Sequence, residues 1–219
     1  MGLDMYLERM PRYGDCTADT ISLLGRYFRF LEEKNEPGNS GLTMEQWCGH
    51  SESELPPRDA VEFYRQFYSK KSDDDFIPSI SEEVGYWRKA NAIHNWFVEN
   101  VQDGEDDCDY HREVTADDLQ ELITVCTKVL TYAKLVPGRI RTGIRFSNGK
   151  AEEMYENGLV VSNPGICEEL LPTSDGFFFG SQEYNEYYLA DLQETIKICT
   201  EALSTTDFGT QMLYYCSSW

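Results

Sequence analysis

The two ends of the chain alternate like strands, and a pairing between them would fix the topology of everything in between. At the start, GLDMYLE (2–8) sends Leu3, Met5 and Leu7 one way and Asp4 and Tyr6 the other, the period-two pattern of a strand with one buried face. At the far end, TQMLYYCSSW (210–219) is strand-like as well. Joined in one small sheet, these segments would tie the domain shut.

Most of the chain between them follows helical period. In 18–34, Leu24, Phe28 and Leu31 recur at three- and four-residue steps, with Gly25 costing about 1 kcal/mol against Ala. Residues 35–57 are rich in Gly, Ser, Glu and Pro and read as a long loop. After Pro56-Pro57 a helix restarts with Ala60, Phe63, Tyr64 and Phe67 on one face, and the SKKSDDD run (69–75) stops it. Glu82 to Val101 reads as a central helix whose stripe is Tyr86, Ala90, Ile93, Phe97 and Val101. Thr115, with Asp118 three residues on, is a capping-box start. Leu119, Leu122, Ile123, Cys126, Val129, Leu130 and Ala133 then continue the period until Pro137-Gly138. RIRTGIRF (139–146) alternates as a strand, and Asn148-Gly149 is a hairpin turn signal. KAEEMYE is a weaker return strand, and GLVVSNPG a further short buried one. A loop with GFFFG (172–181) leads to a last helix, 184–203, striped by Tyr188, Leu189, Leu192, Ile196, Cys199 and Leu203. The expected fold is therefore α+β: a mostly helical single domain over 1–219, with a small antiparallel sheet and a long loop at 35–57.

Charge narrows the function classes. The net charge of −20 repels the phosphate backbone of nucleic acids and anionic membrane surfaces alike. It suits a basic protein partner or imitation of nucleic acid, and equally plain solubility. No apolar run reaches the roughly 18 residues of a membrane span. The seven cysteines contain no CxxC, and Cys126 and Cys199 fall on apolar helix stripes, which reads as reduced thiols in a cytoplasm.

Four segments carry candidate chemistry. His94 falls inside an apolar stripe beside Trp87, Ala90 and Val98. It is either a core histidine with a hydrogen-bond partner or a base lining a pocket. Arg139, Arg141 and Arg145 follow period two in a stretch from Lys134 to Lys150 that holds five basic residues and no acidic one. On one strand face they would grip phosphate or carboxylate; otherwise they pair with the chain's own surplus carboxylates. Trp87, Lys89 and Trp96, with Tyr184 and Tyr187 of the aromatic GFFFGSQEYNEYY segment, are candidate interface residues. Asp103, Glu105, Asp107 and Asp109 alternate as calcium-loop oxygens do. The pattern then fails, with Cys108 in place of the bend glycine and Val114 in place of the bidentate Glu. Cys108 with His111, and Cys48 with His50, lack the spacing of a zinc set. No metal and no cofactor is expected.

MGLDMYL, VGYWRKANAIHNWF and GFFFGSQEYNEYYLADL together resemble segments of an uncharacterised family of small bacterial and phage proteins. The resemblance covers the ends and middle of the chain, omits 35–75 and the acidic loop, and implies no catalytic residues. It implies a phage or prophage accessory protein acting on a host protein. The expected function is thus a non-enzymatic, cytoplasmic binding or inhibitor protein that engages a host protein through an acidic surface and aromatic contacts. That target could itself be a nucleic-acid binder whose ligand the acidic face displaces. The alternative is a small enzyme or binding protein for a phosphorylated or carboxylated metabolite, with the three arginines holding the anion and His94 as base. Oligomeric state is left open.

Overall fold

A computed structural model describes residues 2–33, 56–68, 80–106, 108, 112–147, 150–176 and 179–219. The terminal strands meet as their alternation demands. β1 (Asp4–Pro11) and β6 (Gln211–Ser218) run antiparallel along their whole lengths, from Asp4 opposite Ser218 to Pro11 opposite Gln211. β2 (Glu82–Arg88) lies on the other side of β1, and the short β3 (Arg112–Val114) on the other side of β6, so the sheet order is β2-β1-β6-β3. The α+β class read from the sequence is the one observed, with a modest antiparallel sheet set among helices.

Period two sorts the sheet's side chains into two cores. Leu3, Met5, Leu7, Leu213 and Tyr215 face one way and pack with α3 (Asn91–Asn100), α4 (Ala116–Tyr132) and α6 (Glu186–Thr205). Met10, Met212, Tyr214 and Cys216 face the other way and pack with α1 (Ala18–Glu33) and α2 (Arg58–Arg65) through Ile21, Leu24, Phe28 and Tyr64. Both faces of the sheet are therefore covered, which accounts for a β6 burial pattern interrupted only at its ends.

The local signals of α4 and α6 are satisfied. Thr115 Oγ1 accepts from Asp118 N (3.2 Å) while Asp118 Oδ2 accepts from Thr115 N (2.8 Å), the reciprocal capping box. Asn185 Oδ1 caps α6 by accepting from Tyr187 N and Tyr188 N.

Three readings are corrected. Glu82–Val101 is not one helix: Glu82–Arg88 is strand β2, Lys89 turns the chain at φ 60°, and α3 starts at Asn91. The apolar residues of VGYWRKANAI suit either period, and pairing with β1 decides between them. Gly85 sits where β2 crosses α6; a Cβ there would overlap Ile198 and press within 3.3 Å of Leu7 Cβ. Second, Pro137-Gly138 does not end α4. That helix stops at Tyr132, and Pro137 lies within β4 (Leu135–Ser147), opposite Leu159, in a two-stranded ribbon where a missing N–H is tolerated. Third, GLVVSNPG supplies no separate strand, because KAEEMYE and GLVV run on as β5 (Lys150–Val161). Ser147 pairs with Lys150 across the expected hairpin end, and Asn148-Gly149 lie outside the described residues, as do nearly all of the 35–57 loop and the 69–75 run. A short helix, α5 (Gly165–Leu170), follows β5.

Candidate functional site

His94 is sealed, with 1% of its surface exposed. Its Nδ1 stands 2.7 Å from the hydroxyl of Tyr215, and its Nε2 stands 3.1 Å from Asp106 Oδ1, outside good hydrogen-bond alignment. Asp106 Oδ1 also accepts from Trp219 Nε1 at 3.1 Å. The tautomer that fits carries its proton on Nε2, toward the carboxylate, with Nδ1 accepting from Tyr215; burial drives the Tyr215 pKa well up and keeps that hydroxyl protonated. Desolvation lowers the His94 pKa, against an opposing pull from Asp106, so the imidazole is held neutral. Phe179 meets the ring edge-on at 5.2 Å. This network ties α3 to the end of β6, and no open face of the ring is left for a substrate. His94 is placed as the core histidine of the two readings.

The three arginines do not share a face. The β4–β5 register steps from Arg141 opposite Tyr155 to Gly143 opposite Met154, so Thr142 is a bulge residue, and a bulge reverses the alternation beyond it. Side chains opposite each other in an antiparallel pair lie on the same face. Arg139 and Arg141 thus share a face with Tyr155 and Glu153, while Arg145, opposite Glu152, lies on the other. Arg141 Nε is 3.2 Å from Glu153 Oε1, and the Arg139 guanidinium lies over the Tyr155 ring at 5.1 Å. Neither arginine converges on His94.

The interface candidates also separate. Trp87 and Trp96 are 4% and 6% exposed; Trp87 donates from Nε1 to Thr195 Oγ1 at 3.0 Å and Trp96 packs edge-on against Phe97. Both belong to the core, because the strand-then-helix path of 82–100 turns them inward. Tyr184 is half-buried, packed edge-on against Tyr188, and accepts from Thr173 N. Lys89 is exposed, and Tyr187 is 58% exposed.

Two features go beyond the sequence reading. One is that the expected hairpin, β4–β5, forms a two-stranded sheet of its own. Ile140 and Val161 anchor it in buried positions, and Val161 N and Leu159 N bond to Tyr184 O and Glu186 Oε1. Leu135, Val136, Met154, Tyr155 and Leu159 on it stand exposed. The other is a cleft of about 270 Å³ at the start of α3, lined by Arg88, Lys89, Asn91, Ala92, Glu183 and Asp191 among others. Asp191 has no side-chain partner among the described residues, and desolvation raises its pKa to about 6. The available signal was its spacing: three residues after Tyr188 and four before Thr195, both buried, Asp191 points toward packed surface.

The acidic loop does not converge on one point either. Asp103 pairs with Arg112 (3.1 Å) while Asp106 faces His94; Asp107, Asp109 and His111, like Cys48 and His50, lie outside the described residues. Among the described residues no group of three His, Cys, Asp or Glu side chains could hold a metal ion. No protein-family model, curated protein or solved structure matches the chain.

Proposed function

We propose that the protein is a non-enzymatic binding protein that docks a basic host protein on its β4–β5 hairpin. The observation that carries this is the hairpin's exposed apolar surface, Leu135, Val136, Met154, Tyr155 and Leu159, on a ribbon outside the main sheet. A two-stranded ribbon is marginal by itself, and leaving five large apolar groups in water on it has no folding benefit. Tyr155 under the Arg139 guanidinium is the aromatic–arginine composition of interface hot spots. The hairpin carries four cations and three carboxylates, so the negative excess of a −20 chain lies on the rest of the molecule. A partner seated on the hairpin by apolar contact would present its flanks to that acidic body, which favours basic flanks and fast, salt-sensitive association. The same field would compete with nucleic acid if the target binds it. A cytoplasmic phage accessory or inhibitor role belongs to this reading. It is supported by the thiols of Cys126, Cys167, Cys199 and Cys216, buried and without disulfides. No helix among the described residues is long and apolar enough to cross a membrane.

The metabolite-enzyme alternative loses its geometry, since His94 is sealed and Arg141 meets Glu153. The test is a comparative capture from host lysate with the wild type and the Tyr155→Ala/Leu159→Ser double variant. Both sites are exposed, so the fold should be retained, as circular dichroism checks. One protein held by the wild type, weakened at about 0.5 M salt and lost about 10-fold or more from the variant, is the expected result. Equal capture by both forms, or none by either, contradicts it. So does concentration-dependent dimerisation that the variant abolishes, which would give the surface to a second copy of this chain.

A further inference from the structure

The β4–β5 ribbon has one unbroken open edge, and it lies on the acidic strand. In an antiparallel pair the main-chain groups of successive residues point alternately toward the partner strand and away from it. Leu159 N and Val161 N bond to Glu186 Oε1 and Tyr184 O, outside the ribbon, so the odd-numbered residues of β5 point away from β4. The other strand agrees: Arg141, opposite Tyr155, donates its N–H outward to Glu183 Oε2 at 3.0 Å. At these three positions the chain's own acceptors occupy the outward donors. The outer edge of β4 is also broken, since Pro137 has no N–H, Arg141 N is taken and Thr142 is a bulge residue. The stretch of β5 from 151 to 157 has no such interruption. Ala151, Glu153, Tyr155 and Asn157 face outward there, and their N–H groups meet no acceptor outside the ribbon among the described residues. Every residue from 151 to 157 is exposed. An uncovered run of this kind is a template for one more strand.

Charge decides the occupant. β4 contains Arg139, Arg141 and Arg145 and no carboxylate, whereas 151–157 contains Glu152, Glu153 and Glu156 and no cation. A second copy of this chain, joined edge to edge through β5, would bring these glutamates against their own counterparts, and like charges directly opposite destabilise a strand pair. The arginines of its β4 would answer the charge, but the β4 edge is the broken one. The two faces of β5 differ as well. Glu153 is held by Arg141 on the face that carries Tyr155. Glu152 and Glu156, on the Met154 face, take no ion pair among the described residues. We propose that the partner is held by strand addition: an extended segment of another protein, alternating basic and apolar residues, pairs as a third strand along 151–157. Main-chain bonds hold the segment, its basic side chains line up beside Glu152 and Glu156, and its apolar ones lie beside Tyr155. This rests on the reading of the hairpin as the docking surface and names the chemistry of what docks there.

The test is an NMR titration of the full chain with a peptide of about eight residues, the length of a typical strand, alternating Arg and Val. The comparison arms are the same peptide with Glu for Arg, and the Arg-Val peptide N-methylated at every residue, which keeps the charge and loses the main-chain donors. The Arg-Val peptide should bind and shift the amides of Ala151, Glu153, Tyr155 and Asn157. Both comparison peptides should bind about 10-fold more weakly or worse. Asn157→Pro removes one outward N–H at an edge position where proline is tolerated, and should weaken binding about 10-fold; Asn157→Ala should leave it unchanged. No binding by the Arg-Val peptide overturns the proposal. So does equal binding of its N-methylated form, a readout that does not depend on how the proline variant folds. Host-protein capture that Tyr155→Ala/Leu159→Ser abolishes and Asn157→Pro leaves intact would overturn strand addition and leave the hairpin as the docking surface. Capture that neither variant changes would overturn both.

Discussion

Phe97→Ala should lower the stability of the protein by about 3–5 kcal/mol, the range for emptying a fully buried aromatic site. Phe97 has no exposed surface. Its ring lies flat on Tyr215 at 4.1 Å and 7°, meets Trp96 edge-on at 5.3 Å and Trp87 tilted at 5.8 Å. It is the contact through which α3, β2 and β6 share one core, so three elements would line the void and none could close it alone. The stacked Tyr215 also holds the hydroxyl that serves His94, so the network should loosen as well. Urea denaturation followed by circular dichroism reads this as a lower midpoint at an unchanged slope. A loss under 1 kcal/mol would mean that the three elements are not packed through this ring.

Asp191→Asn should instead stabilise the protein, by about 2–3 kcal/mol near pH 8. The native Asp191 carboxyl has its pKa raised from 3.8 to about 6 by desolvation alone. The folded state therefore holds that proton more tightly than the unfolded chain does. Above about pH 6 the fold carries a half-buried, desolvated charge; as pH falls from there toward 3.8 the cost fades. The gain from the amide should shrink to nothing by about pH 4. His94 has the opposite slope. Its native pKa lies below 6.5, so its stabilising contribution is present above 6.5 and is lost as pH falls below that value. Removing Asp191 should therefore steepen the acid loss of stability, because the compensating carboxyl is gone. Melting profiles across pH for both forms check this, and equal stability of the two near pH 8 would sink it.

How much of this was legible depended on whether the signal was local. The terminal strands were readable because Leu3, Met5 and Leu7 keep strict alternation and one partner answers them. α4 was readable because its cap lies within four residues. The break at Lys89 was not, since a lysine at φ 60° carries no residue signature of the left-handed turn, and the apolar spacing across it suited a helix. The arginine face failed at Thr142, because one bulge residue reverses the alternation; its only mark in RIRTGIRF is the adjacent Gly143, at φ 159°, a bulge signal that the plain alternation passed over. His94 could be placed in the stripe, but its partner Tyr215 is 121 residues away. Asp191 is one of 39 acidic residues, and only the packing around it sets it apart.

The claim that the β4–β5 hairpin is the docking surface is tested most directly by amide hydrogen exchange with and without the captured partner. The account predicts slowed exchange across residues 135–147 and 150–161, with α1 and α2 unchanged. Protection confined to α1 and α2, with the hairpin exchanging as it does alone, would contradict it.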